Sequence, residues 1–175
     1  MNQSASESIP EPSPPDPFWP RYSARPFPPY RYVPGRSPHP KQSPQGHAYG
    51  KPEEHPPAAD PARFRESPTY LYAVDLYNHA YWWECHEAFE GLWLAAGRTP
   101  PPGQFLQGII QIAAANLKRF MGKDEIARKL ADEGLARMKA VSGVYMGVDV
   151  EVFARETREY FEGKRTMPAL IRLGD

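Results

Sequence analysis

Proline is distributed very unevenly along this chain, and that distribution limits what each part can fold into. Eighteen of the 22 prolines lie in residues 1–68, and the other four are Pro100, Pro101, Pro102 and Pro168. Proline has no backbone N–H and a fixed φ, so it is excluded from helix interiors and from central strands. Residues 1–68 are therefore expected to be extended, turn-like or disordered, with regular structure only after them.

The proline-rich part divides into two segments. Residues 1–17, rich in Ser, Glu and Pro, offer few side chains worth burying, which predicts a disordered tail. Residues 18–66 begin with a stretch, to about residue 50, in which aromatic side chains alternate with Pro and Arg. Aromatic rings repay the cost of ordering when they find a surface. Composition alone favours a sticky disordered segment, and the alternative is an extended arm that lies on a helical domain.

Residues 67–175 have the apolar periodicity of about five helices. Ser67-Pro68 is an N-cap followed by Pro at the first helical position, and Gly97 is typical of a helix end. The predicted helices cover about 68–78, 81–96, 104–120, 123–141 and 150–162. The fourth is expected to bury four apolar side chains, Ile126, Leu130, Leu135 and Met138. Short connections make consecutive helices antiparallel neighbours, so the expected fold is an all-α up-and-down bundle with one core.

Composition and charge exclude several classes of protein. Lys plus Arg equal Asp plus Glu at 21 each, which argues against binding of nucleic acid through bulk charge. One Cys excludes an intrachain disulfide framework and fits a reducing cytoplasm. The start shows no basic segment followed by an apolar run, so no secretory signal is expected. The charge-free run 99–117 has a helical part of about 15 residues, short of the roughly 20 that a bilayer requires, so no membrane association is expected.

The second helix carries a group of polar residues beside an apolar face. At about 100° per residue, its apolar arc contains Trp82, Cys85, Phe89, Leu92, Trp93 and Ala96. His86 lies at the edge of this arc, and Glu90 is one turn further on, beside His86. These two side chains are expected to form a partly buried pair, which Glu87 can join. Glu84 points away from them, on another face of the helix.

The third helix has amides where a surface helix usually carries charges. One of its faces contains Gln104, Gln107, Gly108, Gln111 and Ala115. Uncharged amides beside Gly and Ala suggest a half-buried face with specific hydrogen-bond demands, and Gly108 lets another helix approach closely. The simplest arrangement pairs Gln107 and Gln111 with the polar residues of the second helix, and Glu84 is counted in the same network.

Four interpretations of this cluster stay open, in the following order. The first is a structural network that fixes helix register, because buried polar groups are generally paired. The second is a metal site, although His86 and Glu90 supply only two ligands from one helix. The third is acid–base catalysis by His86, tuned by Glu90 and Glu87. The fourth is a nucleophilic Cys85, which on an apolar arc is expected to be inert.

Two motifs give the helical part a recognisable family. They are Glu84-x-His86-Glu87-x-x-Glu90-x-x-Trp93 and Phe105-Leu106-Gln107-Gly108-Ile109-Ile110-Gln111-x-Ala113. In this order and at this separation they resemble the domain of unknown function 309 family, over about residues 70–141. The resemblance implies a small helical protein without an established activity. It also implies that the family's polar positions are His86, Glu87, Glu90, Gln107 and Gln111.

The arm resembles an N-terminal extension in one branch of that family. The similarity lies in Tyr30-Arg-Tyr-Val-Pro-Gly-Arg-Ser-Pro-His-Pro40 and in Pro44-x-Gly46-His47-x-Tyr49-Gly50. It implies an ordered arm over about residues 24–56. In that case His39 and His47 can complete a metal site with His86 and Glu90, which is a ligand set adequate for zinc or iron. Arg36 can then bind an anionic group of a substrate.

Two classes of function follow from these patterns. The first is a non-catalytic helical module that binds a partner protein or a second copy of itself, with the His/Glu/Gln network as architecture. The alternative is a metal-dependent, hydrolase-like enzyme that uses His86 and Glu90 with the arm histidines and a divalent ion. Trp83 lies off the core arc, so it is expected to contact the arm or another subunit.

Overall fold

A computed structural model describes residues Pro10–Gly174, and the helical architecture predicted from the sequence is confirmed. A 3-10 helix, Pro61–Glu66, leads into the bundle. The helices are α1 (Pro68–Asn78), α2 (Trp82–Ala96), α3 (Pro101–Phe120), α4 (Asp124–Met138) and α5 (Val150–Phe161). A two-residue hairpin, β1 (Val144–Tyr145) and β2 (Val148–Asp149), precedes α5. Within the described part of the chain, no helix is both long enough and apolar enough to cross a bilayer.

Local chemistry explains where the helices begin and end. The Ser67 hydroxyl accepts the N–H of Tyr70 at 3.3 Å and caps α1. Gly97 ends α2 with a φ of +85°, a conformation that glycine adopts without strain. The third helix begins at Pro101, three residues before the predicted start. Proline is tolerated in the first turn because the N–H groups there have no acceptor within the helix.

The hydrophobic core surrounds α1, whose residues from Tyr72 to Ala80 are all buried. Side chains from α1, α2 and α3 that lose essentially all contact with solvent include Tyr70, Leu76, Tyr77, Phe89, Leu92, Phe105, Ile109 and Ile112. The hydroxyl of Tyr70 donates to the carbonyl of Met146 in the hairpin at 2.8 Å. The Asn78 amide exchanges two hydrogen bonds with the backbone of Ile171. The first helix therefore ties the hairpin and the C-terminal segment to the bundle.

Helices α3 and α4 pack unusually closely, through glycine. A Cβ on Gly108 would lie 2.9 Å from the carbonyl oxygen of Gly134, and a Cβ on Gly134 would lie 2.7 Å from that of Gly108. The prediction that Gly108 admits a neighbouring helix is confirmed. The buried face of α4 is accordingly small, with Ala127 and Ala131 beside Gly134. The expectation that Ile126 faces the core is wrong, because this close approach has no room for it and its side chain is 50% exposed.

The proline-rich segment runs along α1 and the start of α2. The carboxylate of Asp75, fully buried on α1, accepts the N–H groups of Tyr22 and Ser23 at 2.7 and 2.9 Å and the Nε of Arg21 at 3.2 Å. Further along, Arg31 donates from Nε to the carbonyl of His79 at 2.8 Å. A buried carboxylate is stable only when charge-assisted hydrogen bonds replace its hydration, and here the arm supplies them.

The segment assigned to a disordered tail, 1–17, is described only from residue 10 onward, and residues 1–9 lie outside the described residues. Glu11 accepts the backbone N–H of Arg31 at 3.2 Å and also faces its guanidinium at 3.6 Å. The described end of the chain therefore contacts the arm.

We predict that Asp75→Asn loosens the arm. The amide has one acceptor in place of two, and its NH2 group faces donors, so the free energy of unfolding should fall by about 2–3 kcal/mol. Urea titration measures this loss, and trypsin should cleave faster at Arg21 and Arg25. The matched control is Asp132→Asn, on the exposed face of α4, which should change stability by less than about 0.5 kcal/mol. Equal stability of the two variants would contradict the proposed anchoring role.

Candidate functional site

A cleft of about 660 Å³ lies between the arm and one side of α2. The helix side includes Trp83, Glu84, Glu87, Ala88, Glu90, Gly91, Leu94 and Ala95. The arm side includes residues 25–29 and the stretches 47–48 and 51–56, together with Lys41. Pro56 crosses α2 at Gly91, where an added Cβ would lie 3.0 Å from the proline Cδ. The cleft therefore exists because the arm covers a helix face that would otherwise be open.

Glu84 lies beneath the arm and is almost completely buried, with 5% of its side chain exposed. One carboxylate oxygen, Oε1, accepts the backbone N–H of Tyr32 at 2.9 Å and the ring Nε2 of His47, also at 2.9 Å. The other oxygen, Oε2, is buried and has no hydrogen-bond partner among the described residues. Glu84 does point away from His86, as its helix position predicts, but its partners are arm residues and not the amides of α3.

His86, Glu87 and Glu90 come together on α2. One ligand atom from each lies within 4.8 Å of the others, and all three side chains are half-buried. The His86 Nδ1 lies 3.7 Å from Glu87 Oε1, which is too long for a hydrogen bond, and this buried nitrogen has no hydrogen-bond partner among the described residues. The expected partly buried group on the edge of the apolar arc is therefore present.

The charge of Glu87 is stabilised by two neighbours. The His86 ring lies on one side, and the ammonium of Lys41 pairs with Glu87 Oε2 on the other. Their interactions, that of His86 first, outweigh desolvation and lower the pKa of Glu87 from 4.5 to about 2. Lys41 also lies 3.5 Å from Glu53 on the arm. Glu87 is therefore ionised throughout the physiological range, and Lys41 connects α2 electrostatically to the arm.

The four-residue ligand set inferred for the arm is not assembled. His39 accepts the N–H groups of Lys41 and Gln42 through Nδ1, at 3.2 and 3.3 Å. His47 is engaged with Glu84. Among the described residues, only His86, Glu87 and Glu90 bring three potential metal ligands this close together. The arm follows a different path because its histidines stabilise a turn and a buried carboxylate.

Arg36 also lies away from this group. Its guanidinium stacks at 5.3 Å over the ring of Phe120, at the end of α3. In that position it makes a cation–π contact and does not line the cleft between the arm and α2.

The amide face of α3 contacts α4 and not α2. Gln111 donates to Glu133 Oε2 at 3.3 Å and accepts from Arg137 Nε at 3.1 Å. Arg137 also donates to Gln104 at 3.3 Å. Gln107 is half-buried on the same face. The expected pairing of these amides with α2 is wrong for Gln111, because the contact between the two glycines of α3 and α4 turns this face toward α4.

Cys85 and Trp83 behave as their positions on the helix predict. Cys85 is fully buried, and desolvation raises the pKa of its thiol well above the ordinary value, so the reactive thiolate is suppressed. Trp83 meets arm residues, with its ring edge-on to Tyr32 at 5.1 Å and to His39 at 5.4 Å. The prediction that Trp83 contacts the arm or a second subunit is thus met by the arm.

Sequence reasoning missed two functional contacts. Lys41 was overlooked because it lies among prolines, 46 residues from its partner Glu87. Asp75 was overlooked within the apolar run of α1, where a single acid between Val74 and Leu76 is the kind of position that requires a buried partner.

Comparison with known families agrees with the resemblance seen in the motifs. Residues 70–130 match the model of the family described as Domain of unknown function (DUF309). This segment contains α1, α2 and α3 and the first part of α4, and with them the His86 group and the α2 side of the cleft. The resemblance is therefore confirmed over this segment. No curated protein matches the chain.

We predict that Glu87 makes a pH-dependent contribution to folding. Because its pKa is lower in the folded state, the contribution is present above about pH 4.5 and is lost as the pH falls toward 2. The difference in the free energy of unfolding between the wild type and Glu87→Gln should shrink over that interval in urea titrations. Glu53→Gln removes the other, exposed carboxylate near Lys41 and should have little effect at any pH. A difference for Glu87→Gln that does not change with pH would contradict this assignment.

Proposed function

We propose that this chain is a non-catalytic binding module whose ligand site is the cleft between the arm and α2. The observation that carries the proposal is the cleft itself. Its volume of about 660 Å³ falls within the roughly 300–1,000 Å³ of ordinary ligand sites. Its walls combine apolar surface from Phe27, Leu76 and Leu94 with charged groups from the arm and the helix, which is the usual composition of a ligand site.

The electrostatics of α2 favour binding over acid–base or thiol chemistry. A general base works best with a pKa near the operating pH, whereas Glu87 has a pKa of about 2 and is a weak base. The raised pKa of the buried Cys85 disfavours a thiolate nucleophile. These residues therefore support a site that holds a ligand. The single free Cys fits a reducing compartment, so we place the module in the cytoplasm.

The first experiment asks whether the cleft binds ligands at all. Full-length protein is screened by saturation-transfer NMR against a fragment set with equal numbers of cationic, neutral and anionic members. Ala95 is exposed and lines the cleft, so Ala95→Trp should fill it and abolish fragment binding. The control is Ala136→Trp on the exposed face of α4, which should bind as the wild type does.

Two results would contradict a ligand site in the cleft. One is that no fragment binds the wild type, and the other is that Ala95→Trp and Ala136→Trp bind equally well. Sedimentation of the same samples tests self-association as the alternative form of the binding module. A dimer that Ala95→Trp disrupts would make the occupant of this surface a second copy of the chain.

A second candidate function is divalent-metal binding at His86, Glu87 and Glu90. The observation that favours it is the convergence of three potential ligand atoms within 4.8 Å, one of them the unpartnered Nδ1 of His86. An imidazole with two carboxylates and added water suits a borderline ion such as zinc. Ligands must be deprotonated to bind, and Glu87 already is. Lys41 would have to leave Glu87 for the ion to bind.

The metal hypothesis is tested by equilibrium dialysis of protein without a His-tag against zinc, read by elemental analysis. The wild type should bind one equivalent, and His86→Ala should weaken binding at least tenfold. Lys41→Ala, which removes the competing cation, should strengthen it. His55→Ala, an exposed arm residue, is the matched control. Equal zinc content in the wild type and His86→Ala would exclude this site.

A further inference from the structure

We propose that the cleft recognises an organic cation, a primary ammonium on a short alkyl chain, seated against Oε2 of Glu84. This inference rests on the proposed binding function and names the chemical class of the ligand. Its first support is the unpartnered oxygen. Glu84 is buried to the extent of 94%, lines the cleft and directs two donors to Oε1 but none to Oε2.

A carboxylate oxygen that is buried without a donor is costly, and native proteins rarely leave one. The described chain supplies no donor to Oε2, so a group that completes this carboxylate has to come from a ligand. A metal ion is a poor candidate here, because it needs several ligands and Glu84 is not part of a group of three potential ligands within the described chain. An ammonium has up to three donors and satisfies the oxygen directly.

The formal charge of the lining supports the same ligand. The cleft contains five carboxylates, Glu53, Glu54, Glu84, Glu87 and Glu90, and three permanent cations, Arg25, Lys41 and Lys51. Arg25 is paired with Glu54 at 3.0 Å, and Lys41 is shared between Glu87 and Glu53. Within the described residues, Glu90 makes no ion pair. The balance of the cleft is therefore negative, which attracts a cation.

The apolar walls select for an alkyl chain between charged ends. Leu94, 60% exposed, and the ring of Pro56 lie along the cleft and offer surface to methylene groups. The Tyr72 ring already holds a cation, because the Arg25 guanidinium stacks over it at 4.4 Å. Glu84 and Glu90 are six residues apart, a rise of about 9 Å along the helix. That spacing suits a linear diamine of about six carbons, with one ammonium for each carboxylate.

The test is isothermal titration calorimetry of the full chain with three probes of matched length. These are 1,6-diaminohexane, 1,6-hexanediol and adipate, which carry positive, no and negative charge. We expect the diamine to bind at least tenfold more tightly than the diol, and adipate not to bind. Glu84→Gln places an amide donor where the ammonium should sit, so it should weaken diamine binding at least tenfold. Asp132→Asn, outside the cleft, should bind as the wild type does.

Glu84 also holds the arm, so a second variant keeps the test decisive. Glu90→Gln removes a half-buried carboxylate of the cleft that has no bond to the arm, and it should weaken diamine binding several-fold with an unchanged thermal midpoint. The proposal is overturned if the diamine binds no more tightly than the diol, or if both glutamine variants bind it like the wild type. Binding of diol or adipate that is lost in Ala95→Trp also overturns the cation assignment, yet it preserves the ligand site. Silence of the whole fragment set would remove the site itself.

Discussion

Two buried carboxylates hold the N-terminal arm to the bundle, and the rest of the candidate site depends on them. A proline-rich strand has too few N–H groups to join a sheet, so it cannot be ordered by backbone pairing. Asp75 and Glu84 accept the N–H groups that remain, at Tyr22, Ser23 and Tyr32. Burial of a carboxylate is unfavourable unless such bonds replace water. The arm and the helices therefore stabilise each other.

The seated arm gives α2 two different polar surfaces. On one side Glu84 lies under the arm and lines the cleft with Gly91 and Ala95. On the other side His86, Glu87 and Glu90 form a half-buried group. Lys41 connects the two, because its ammonium reaches from the arm to Glu87. A ligand in the cleft and an ion at His86 would therefore compete for the same lysine, and this links the two candidate activities of the helix.

The fold was predictable in its helices and less so in their mutual orientation. Periodicity, the Ser67 cap and Gly97 placed α1 and α2 within about a residue of their observed ends. The group formed by His86, Glu87 and Glu90 followed from helix geometry alone, because residues three and four apart are neighbours. The partners of Gln111 did not follow, since an amide face bonds whichever helix approaches it, and the glycine contact brings α4 there.

The sequence by itself determined that the first third of the chain could be neither helix interior nor sheet, that the remainder forms helices, and which polar side chains of α2 are neighbours. These are local properties, fixed by proline chemistry and by the pitch of the helix. Only the tertiary structure decided that Glu84 lies under the arm, that His39 and His47 stay away from His86, and that a cleft opens beside α2. Contacts across dozens of residues depend on packing and on the path of the arm, and no local pattern in the sequence encodes that path.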